Sequence, residues 1–441
     1  MPLRYISHRS TIFHPDATTD AQEFVLLFGD EVDTMDIQEA GRDEVVYRER
    51  TGWVRSDRLM DRHPLELYFI DVGQGDSTFF VTPAGRKILI DGGKGNEAFQ
   101  FLVWKYRLDL PNPEPVEIDL LVLTHTDDDH IAGLISIIDH KLIHVRKIIH
   151  SGIAKFRTGV FDTPLGNLTG AGANRLLVTR HDAIRDLRRA DLTQTMQAWF
   201  DVIVQEETAS GLQYRAVDTR TDSMDFGDPD VTIRVLGPRL ITHQDHGDLG
   251  YPWFASAAKT VNGHSVVLRV DCGNVRILLP GDLNIEGASH LLSDPAFAME
   301  ADAHVLKAPH HGSHEFDRRF LEAVKPQITV VSSGEAPDHG HPRANFLGAV
   351  GQVSRSAEPL LFSTELVAHF AVDRDADSSD ADEPVDPTDP AMLGQARRRF
   401  KKRLNGIINV RTDGRSLYAA RRVAAGYQFV TYGPLPAAPR S

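Results

Sequence analysis

The run of residues 124–130 is the part of this chain best suited to chemistry, because five of its seven residues can ligate a metal ion. The apolar residues Ile118 and 120–123 precede it, and an apolar-periodic segment beginning at Ile131 follows it. This pattern predicts a turn between a buried strand and a helix, where several short side chains can point at one place. Imidazole nitrogens and carboxylate oxygens together suit zinc, manganese or iron. The run therefore predicts a metal site.

Three later apolar segments end in the same kinds of residue. Residues 275–279 lead to Asp282, residues 303–308 lead to His310 and His311, and residues 328–331 lead towards His341. Open α/β sheets bind ligands at the carboxyl ends of their strands. Four such endings in order predict an α/β fold whose strands bring these side chains to one edge.

The chain resembles the metallo-β-lactamase superfamily, in the branch that forms the hydrolase domain of ComEC-type DNA-uptake proteins. Besides the run already described and the Ile131-Ala132-Gly133-Leu134 that follows it, the motifs are Asp71-Val72-Gly73-Gln74-Gly75-Asp76, Leu89-Ile90-Asp91-Gly92-Gly93, Asn262-Gly263-His264-Ser265, Leu279-Pro280-Gly281-Asp282, Lys307-Ala308-Pro309-His310-His311-Gly312-Ser313 and Gly340-His341-Pro342. The resemblance covers residues 64–372, interrupted by an insertion at 151–228. It implies an αββα sandwich and a metal-dependent hydrolase that lacks the membrane channel of the DNA-uptake proteins.

The resemblance also implies a site for two divalent metal ions, and its ligands carry over residue by residue. They are His125 and Asp127 for the first ion, Asp129, His130 and His310 for the second, with His311 as a weaker candidate, and Asp282 as the bridge. Many members add a histidine to the first ion, and His264 falls at that place, although this branch is marked there by Asn262 and Ser265. Asp127 stands where other members have a histidine, which favours manganese or magnesium over a nitrogen-rich zinc site. Because histidine ligands remain in the set, zinc stays a candidate beside manganese, and magnesium is also compatible.

Other residues are expected to orient the ligands and to move protons. Asp91, at the end of a predicted core strand, would hydrogen-bond a ligand histidine and fix its tautomer, and Asp76 would do the same or cap its turn. His341 is the candidate for protonating the leaving oxygen or binding phosphate, with a structural role in its loop as the alternative. Asp129 and His311 complete the set of catalytic candidates.

These features predict a metal-dependent phosphodiesterase that cleaves nucleic acid, with DNA as the expected substrate and a hydroxide held between two ions as the nucleophile. One alternative is a hydrolase of a smaller ester, such as a cyclic nucleotide, a phospholipid head group or a lactone. The other is a non-catalytic interaction protein with a relic metal site, against which the intact ligand set argues. The net charge of −14 opposes a surface built for indiscriminate nucleic-acid binding.

Composition sets the remaining limits. A chain of 441 residues is too long for one ordinary domain, and 41% hydrophobic and 25% charged residues are typical of a soluble globular protein. No stretch reaches the roughly 18–20 apolar residues that span a bilayer, and the first residues lack an apolar signal core. The single cysteine, Cys272, excludes an internal disulfide and fits a reducing compartment. We therefore expect a cytoplasmic protein with no membrane association.

Four regions are predicted along the chain. Residues 1–62 resemble a small β-barrel of the bacterial Src-homology type, which would dock a protein partner or simply pack on the hydrolase. Residues 64–372 form the hydrolase, and its insertion, with a predicted helix around 183–202, is either a lid over the site or a tolerated surface insertion. Residues 373–392 are rich in Asp, Ser and Pro and predict a disordered linker. Residues 393–441 contain a basic helix candidate at 397–403 and a closing hairpin.

Overall fold

A computed structural model describes residues 2–221, 223–224, 227–334, 340–365, 406–422 and 429–437. The predicted acidic linker at 373–392 and the basic segment at 397–403 lie outside these ranges, so both stay predictions. None of the helices in the described ranges combines the length and apolar character that crossing a bilayer requires.

Residues 3–60 form short antiparallel strands with a core of their own. These strands are β1 (Leu3–Ile6), β2 (Ser10–Phe13), β3 (Phe24–Leu27), β4 (Glu31–Glu39), β5 (Arg42–Tyr47), β6 (Arg50–Arg55) and β7 (Leu59–Met60). Five of them make a sheet in the order β6-β5-β4-β1-β7, and β2 pairs with β3. Ile6, Phe13, Val45 and Val54 are buried between the strands. The docking role of this N-terminal unit stays a prediction.

The remaining elements follow in chain order. The strands are β8 (Leu65–Phe69), β9 (Thr78–Val81), β10 (Lys87–Ile90), β11 (Val116–Ile118), β12 (Leu120–Leu123), β13 (Ile143–Val145), β14 (Lys147–His150), β15 (Leu168–Thr169), β16 (Leu176–Leu177), β17 (Gln213–Ala216), β18 (Val231–Gly237), β19 (Ile241–Thr242), β20 (Leu249–Pro252), β21 (Val267–Cys272), β22 (Val275–Leu279), β23 (Val305–Lys307), β24 (Ile328–Val331), β25 (Leu360–Ser363), β26 (Ile408–Thr412), β27 (Ser416–Arg422) and β28 (Phe429–Pro436). The α-helices are α1 (Glu97–Tyr106), α2 (Asp128–Ile138), α3 (Gln194–Ala209), α4 (Ala257–Gly263), α5 (Ile285–Leu292), α6 (Pro295–Glu300), α7 (Arg318–Val324) and α8 (Ala344–Val353).

Two sheets pack face to face and helices cover their outer faces. The larger sheet has the order β17-β14-β12-β10-β9-β8-β26-β27-β28, and the smaller has the order β18-β21-β22-β23-β24-β25. Their facing sides share one core that includes Leu67, Phe80, Val122, Val270, Ile277 and Val305. Helices α1 to α3 cover the larger sheet through Phe99, Leu134 and Trp199, and α5 to α8 cover the smaller one through Leu291, Phe297, Phe320 and Phe346. This confirms the αββα sandwich.

The strands that lead to the predicted site run parallel to one another within each sheet. Strands β10, β12 and β14 are parallel neighbours, as are β22, β23, β24 and β25. Every residue of β12 and β24 is buried, as the apolar sequence of β12 and the mainly apolar sequence of β24 predict for strands covered on both faces. Their carboxyl ends therefore meet at one edge of the sandwich.

The C-terminal strands and the insertion differ from expectation. Strand β26 pairs with β8 and β27 pairs with β26, so the closing hairpin exists but completes the larger sheet, which continues past residue 372. The insertion supplies the edge strand β17 and the core helix α3, so much of it is structural rather than a lid. Helix α3 begins at Gln194, not near 183, because Asp186 accepts hydrogen bonds from the backbone of Asp182 and Ala183 and holds a short 3-10 turn there.

Candidate metal centre

Four buried side chains converge at the edge where the strands end. One ligand atom from each of them lies within 4.8 Å of the others, and they are Asp76, His130, Asp282 and His311. We call these four, with the neighbouring His125, Asp127 and Asp129, the metal cluster. His130 belongs to the helix after β12, Asp282 follows β22, His311 follows β23, and Asp76 lies in the loop between β8 and β9.

Close backbone packing seats the first turn of α2 beside the end of β10. A Cβ atom on Gly133 would lie 2.0 Å from the carbonyl oxygen of Gly92, and the Gly133 amide donates to Gly93 O at 3.0 Å. Only glycine permits such an approach. The Gly92 amide in turn donates to His130 O at 2.9 Å, which fixes the helix against the Asp91 turn.

Asp91 holds His130 in one orientation. Its carboxylate accepts hydrogen bonds from Thr124 N at 2.8 Å, from Thr124 Oγ1 at 2.6 Å and from His130 Nδ1 at 2.8 Å. A histidine whose Nδ1 donates to a carboxylate presents the lone pair of Nε2 to a metal ion. The structure therefore places Asp91 where the sequence analysis expects a residue that fixes a ligand tautomer. Its φ of 56° is left-handed, which is uncommon for a residue other than glycine.

Asp282 lies between two imidazole nitrogens. Its Oδ2 is 3.4 Å from His130 Nε2 and 3.1 Å from His311 Nε2. The carbonyl oxygen of Ser332 lies 3.1 Å from His311 Nδ1 and so fixes that ring as Asp91 fixes His130. Asp129 completes this half, with its two carboxylate oxygens 3.9 Å from His130 Nε2 and from His311 Nε2.

The other half of the metal cluster consists of His125 and Asp127. His125 is fully buried, and its Nε2 lies 3.8 Å from Asp127 Oδ2. Lys155 Nζ contacts Asp127 Oδ1 at 2.6 Å. The side-chain amide of Asn262 makes good hydrogen bonds when its Nδ2 faces Asp127. In that orientation Nδ2 donates to Asp127 Oδ2 at 3.1 Å. Lys155 was not foreseen, because it lies in the insertion and follows no pattern of strand ends.

The electrostatics of the metal cluster favour the ionised form of Asp282, which is the form that binds a metal ion. Burial alone would raise the pKa of Asp282, but His311 and His130 lower it well below its usual value. Burial likewise opposes a charge on His130, yet Asp282 and Asp91 raise its pKa well above the ordinary value. Burial and the neighbouring His130 lower the pKa of His125 to about 4, so His125 is neutral at pH 7. The buried carboxylates thus demand positive charge at this place.

Imidazole nitrogens without hydrogen-bond partners indicate that the metal cluster could bind divalent cations. Within the described ranges, the buried Nε2 atoms of His125, His130 and His311 make no hydrogen bond. Buried polar atoms without partners are rare and destabilising. Here all three occur beside carboxylate oxygens, and imidazole nitrogen with carboxylate oxygen is a donor set suited to zinc or manganese.

The turn after β23 selects His311 rather than His310 for the cluster. His310 has φ 46° and ψ 50°, and His311 has φ 54° and ψ 24°, so two consecutive residues are left-handed. Such strain concentrates at functional sites. It directs His311 Nε2 at Asp282, whereas His310 lines the adjoining pocket. The sequence predicted His310 as the ligand and His311 as the weaker candidate, whereas the structure brings His311 into the cluster. Which of the two binds an ion stays a prediction.

His264 is engaged away from the cluster. Its Nε2 lies 2.8 Å from the carbonyl oxygen of Pro252, and its ring packs against Tyr251 and Phe254 with centroids 4.7 and 4.6 Å away. Burial lowers its pKa to about 3, so it is a neutral core histidine. The structure does not bring His264 to the first ion's half, and Asn262 faces Asp127 instead.

An open pocket of about 260 Å³ gives access to the cluster. It is lined by Gln74, Gly75, Asp127, Asp129, Asn262, Asp282, His310, His311, Ser333, Gly334 and His341. The ring centroid of His341 lies 5.9 Å from that of His310 and 6.1 Å from that of His311. A Cβ atom on Gly75 would lie 1.8 Å from Asp129 O, so the glycine of this motif lets the loop close against the ligand turn.

Comparisons with known proteins agree with this geometry. Residues 70–334 match the family model described as the metallo-β-lactamase superfamily. The chain is 23% identical over 299 residues to ComE operon protein 3 of Bacillus subtilis (strain 168), a match covering 64% of this chain and 30% of that protein. It is 39% identical over 82 residues to competence protein ComA of Neisseria gonorrhoeae, covering 18% of this chain and 12% of that protein. The chain thus spans less than a third of either relative, and both matches support the ComEC-type branch.

Proposed function

Because the chain belongs to the metallo-β-lactamase superfamily, we propose that it uses divalent metal ions to hydrolyse phosphodiesters of nucleic acid, principally DNA. The observation that carries the proposal is the convergence of His130, Asp282 and His311, of which Asp282 and His311 line an open pocket. One relative is named as a competence protein, and competence is the uptake of DNA. That name supports nucleic acid as the substrate class.

The metal cluster offers ligands for two ions. His125 and Asp127 form one half, and Asp129, His130 and His311 form the other. Asp282 contacts the second half through His130 and His311, and the family resemblance implies that it would be the ligand shared by the two ions. Two divalent ions in such a site lower the pKa of a bound water and neutralise the charge that develops on a phosphoryl group. The mixed oxygen and nitrogen set favours manganese, with zinc and magnesium as the other candidates.

The protein's own residues orient the ligands and supply protons. Asp91 and the Ser332 carbonyl fix the two ligand imidazoles, so little reorganisation is needed when a substrate arrives. His341 and His310 stand at the side of the pocket, where one of them would protonate the leaving oxygen. Burial lowers the pKa of His310, which leaves His341 as our choice for this donor.

The acidic lining of the pocket makes cleavage depend on cations. Asp127, Asp129 and Asp282 face the cavity, and the whole chain carries a net charge of −14. A polyanionic substrate would be repelled unless bound cations offset these carboxylates. We therefore expect nucleic acid to bind weakly to the metal-free protein and more strongly to the loaded one.

An activity panel tests the function. Single-stranded, double-stranded and circular DNA, RNA and bis(p-nitrophenyl) phosphate are each incubated with manganese, magnesium or zinc. We expect cleavage of DNA and of the chromogenic diester, greatest with manganese. Asp201→Asn is the control for variants of the metal cluster, because it neutralises an exposed carboxylate of helix α3, which pairs with Arg189. If no nucleic acid is cut with any metal while a cyclic nucleotide or lactone is hydrolysed, the protein is a small-ester hydrolase instead.

A further inference from the structure

Lys307 is a buried lysine at the back of the metal cluster. It is the last residue of β23, and 3% of its surface is exposed. Its Nζ donates to the carbonyl oxygen of Gly281 at 3.0 Å and lies 3.4 Å from Asp282 Oδ1. It also pairs directly with Asp76 Oδ2. An ammonium group with three such contacts occupies a fixed position.

The contacts of Lys307 divide the two oxygens of Asp282. Oδ1 faces Lys307, whereas Oδ2 faces the Nε2 atoms of His130 and His311. Lys307 also holds the carbonyl of Gly281, the residue immediately before Asp282. The backbone and one carboxylate oxygen of the same turn are thus tied to a single ammonium group, which opposes rotation of the carboxylate.

Asp76 lies within reach of the cluster but is engaged by Lys307. The aspartate is 4% exposed, and its other oxygen, Oδ1, lies 3.4 Å from His311 Nδ1. By distance alone it belongs to the group that could hold a metal ion. Two buried carboxylates as near as Asp76 and Asp282 would repel each other without a cation between them. Lys307 supplies that cation without help from a metal ion.

We propose that Lys307 and Asp76 form a fixed ion pair that positions Asp282 to offer only Oδ2 to the metal ions, and that the pair keeps Asp76 from becoming a ligand. Lys307 and Asp76 are positioning residues in this role, since neither touches the substrate. The pair gives one purpose to two separate motifs, the Gly73-Gln74-Gly75-Asp76 loop and the Lys307 strand end. The inference rests on the proposed metal centre.

Cobalt substitution tests the inference, because the visible spectrum of bound Co²⁺ reports the number and kind of its ligands. The native protein, Lys307→Met and the double variant Asp76→Asn/Lys307→Met are titrated with Co²⁺, and the spectrum and dissociation constant are recorded. Lys259→Met is the control, since it removes a lysine that pairs with Glu286 and Glu315 outside the cluster. We expect Lys307→Met to bind Co²⁺ about tenfold more tightly or better, with a changed spectrum, because two carboxylate oxygens are released to the metal.

The double variant covers the case in which Lys307→Met fails to fold. It leaves no unpaired charge at the position of the pair, so it should fold, and its spectrum should still differ from native because Asp282 is no longer held. Its gain in affinity should be smaller, because the amide that replaces Asp76 is a poorer ligand. A native-like spectrum and affinity in the folded variants would overturn the inference alone. Failure of the native protein to bind Co²⁺ overturns the metal centre and the inference with it.

Discussion

Two groups of buried charges adjoin the larger sheet, and they differ in whether they are complete. The first, which we call the junction cluster, consists of Glu66, Lys105, Arg411 and Asp30 and ties the N-terminal unit to the sandwich. Arg411 Nη2 is 2.8 Å from Glu66 Oε1, Arg411 Nη1 is 2.8 Å from Asp30 Oδ1, and Lys105 Nζ is 3.2 Å from Glu66 Oε2. Each charge in it has an opposite partner supplied by the protein.

In the part of the chain that the structure describes, the metal cluster has more unsatisfied atoms than the junction cluster, where Arg411 Nε is also buried without a hydrogen bond. Three buried Nε2 atoms have no hydrogen bond within the described ranges, and the backbone is left-handed at Asp91, His310 and His311. In the junction cluster, Glu66 and Arg411 lie on the paired strands β8 and β26. A network whose charges are paired stabilises a fold, whereas one that leaves several ligand atoms unused and stores backbone strain is suited to bind a further group.

The largest predicted effect comes from neutralising the shared carboxylate of the metal cluster. Asp282→Asn should lower phosphodiesterase turnover by about a thousandfold, which corresponds to about 4 kcal/mol of transition-state stabilisation. The fold should survive, because the amide keeps the volume and Lys307 keeps its partner Asp76. Turnover and circular dichroism are measured side by side. Native turnover in Asp282→Asn would show that hydrolysis does not depend on Asp282 and that the proposed mechanism is wrong.

Breaking the junction cluster should lower stability and leave turnover nearly unchanged. Arg411→Met leaves Asp30 without its buried partner and Glu66 with only Lys105 and the Tyr68 hydroxyl, so we expect a loss of about 3 kcal/mol in the free energy of unfolding. Turnover per folded molecule should change little. Denaturant unfolding and activity on a small diester measure the two quantities. A stable but inactive Arg411→Met protein would show that the two clusters are coupled.

The junction cluster also carries a pH signature. Burial would raise the pKa of Glu66, but Arg411 and Lys105 outweigh it and lower the pKa from 4.5 to about 2. A carboxylate with a depressed pKa stabilises the fold above its unfolded pKa, and this contribution is lost as pH falls from 4.5 towards 2. Glu66→Gln should flatten the acid limb of the stability curve, as followed by thermal unfolding. An unchanged limb would mean that other carboxylates govern acid unfolding.

Added metal should stabilise the protein through one cluster only. A free Mn²⁺ concentration about a hundredfold above the dissociation constant raises the free energy of unfolding by about 2.7 kcal/mol for one site. The shift should persist in Arg411→Met and largely vanish in Asp282→Asn, because only the latter alters a proposed ligand. Thermal unfolding with Mn²⁺ and with a chelator gives the comparison. An equal shift in both variants would place the binding outside the metal cluster.

The sequence predicted most of the sandwich but not how its C-terminal strands complete the larger sheet. The apolar runs that became β12 and β24 predicted strands of an α/β sheet with a site at their carboxyl ends, and the family resemblance implied the αββα sandwich. The pairing of β26 with β8 was not foreseen, because nothing in a short apolar strand specifies a partner some 340 residues away in the chain. The start of α3 was missed because the side chain of Asp186 competes for the backbone of a helix-like sequence.

The site shows the same division between residue type and local geometry. Strand ends and the resemblance named His125, Asp129 and His130, and the structure brings them to the cluster. They could not choose between His310 and His311, because that choice depends on two left-handed residues in a row. Nor could they show that His264 would hydrogen-bond to the Pro252 carbonyl. Pro252 is the last residue of β20, and no sequence pattern links it to His264.

The smallest predicted difference, about tenfold in turnover between two variants, tests whether His310 or His311 is the ligand. His311→Asn should reduce bound metal and lower turnover by about a hundredfold, as expected when a ligand is lost, whereas His310→Asn should keep the metal and lower turnover by about tenfold or less. Asparagine is used at both positions because it tolerates left-handed backbone better than alanine, so both turns should keep their shape. Metal content by mass spectrometry and turnover are measured for each variant. If His310→Asn loses the metal and His311→Asn keeps it, the ligand implied by the family resemblance is correct. The turn from Pro309 to Gly312 would then have to adopt another conformation when the ion binds.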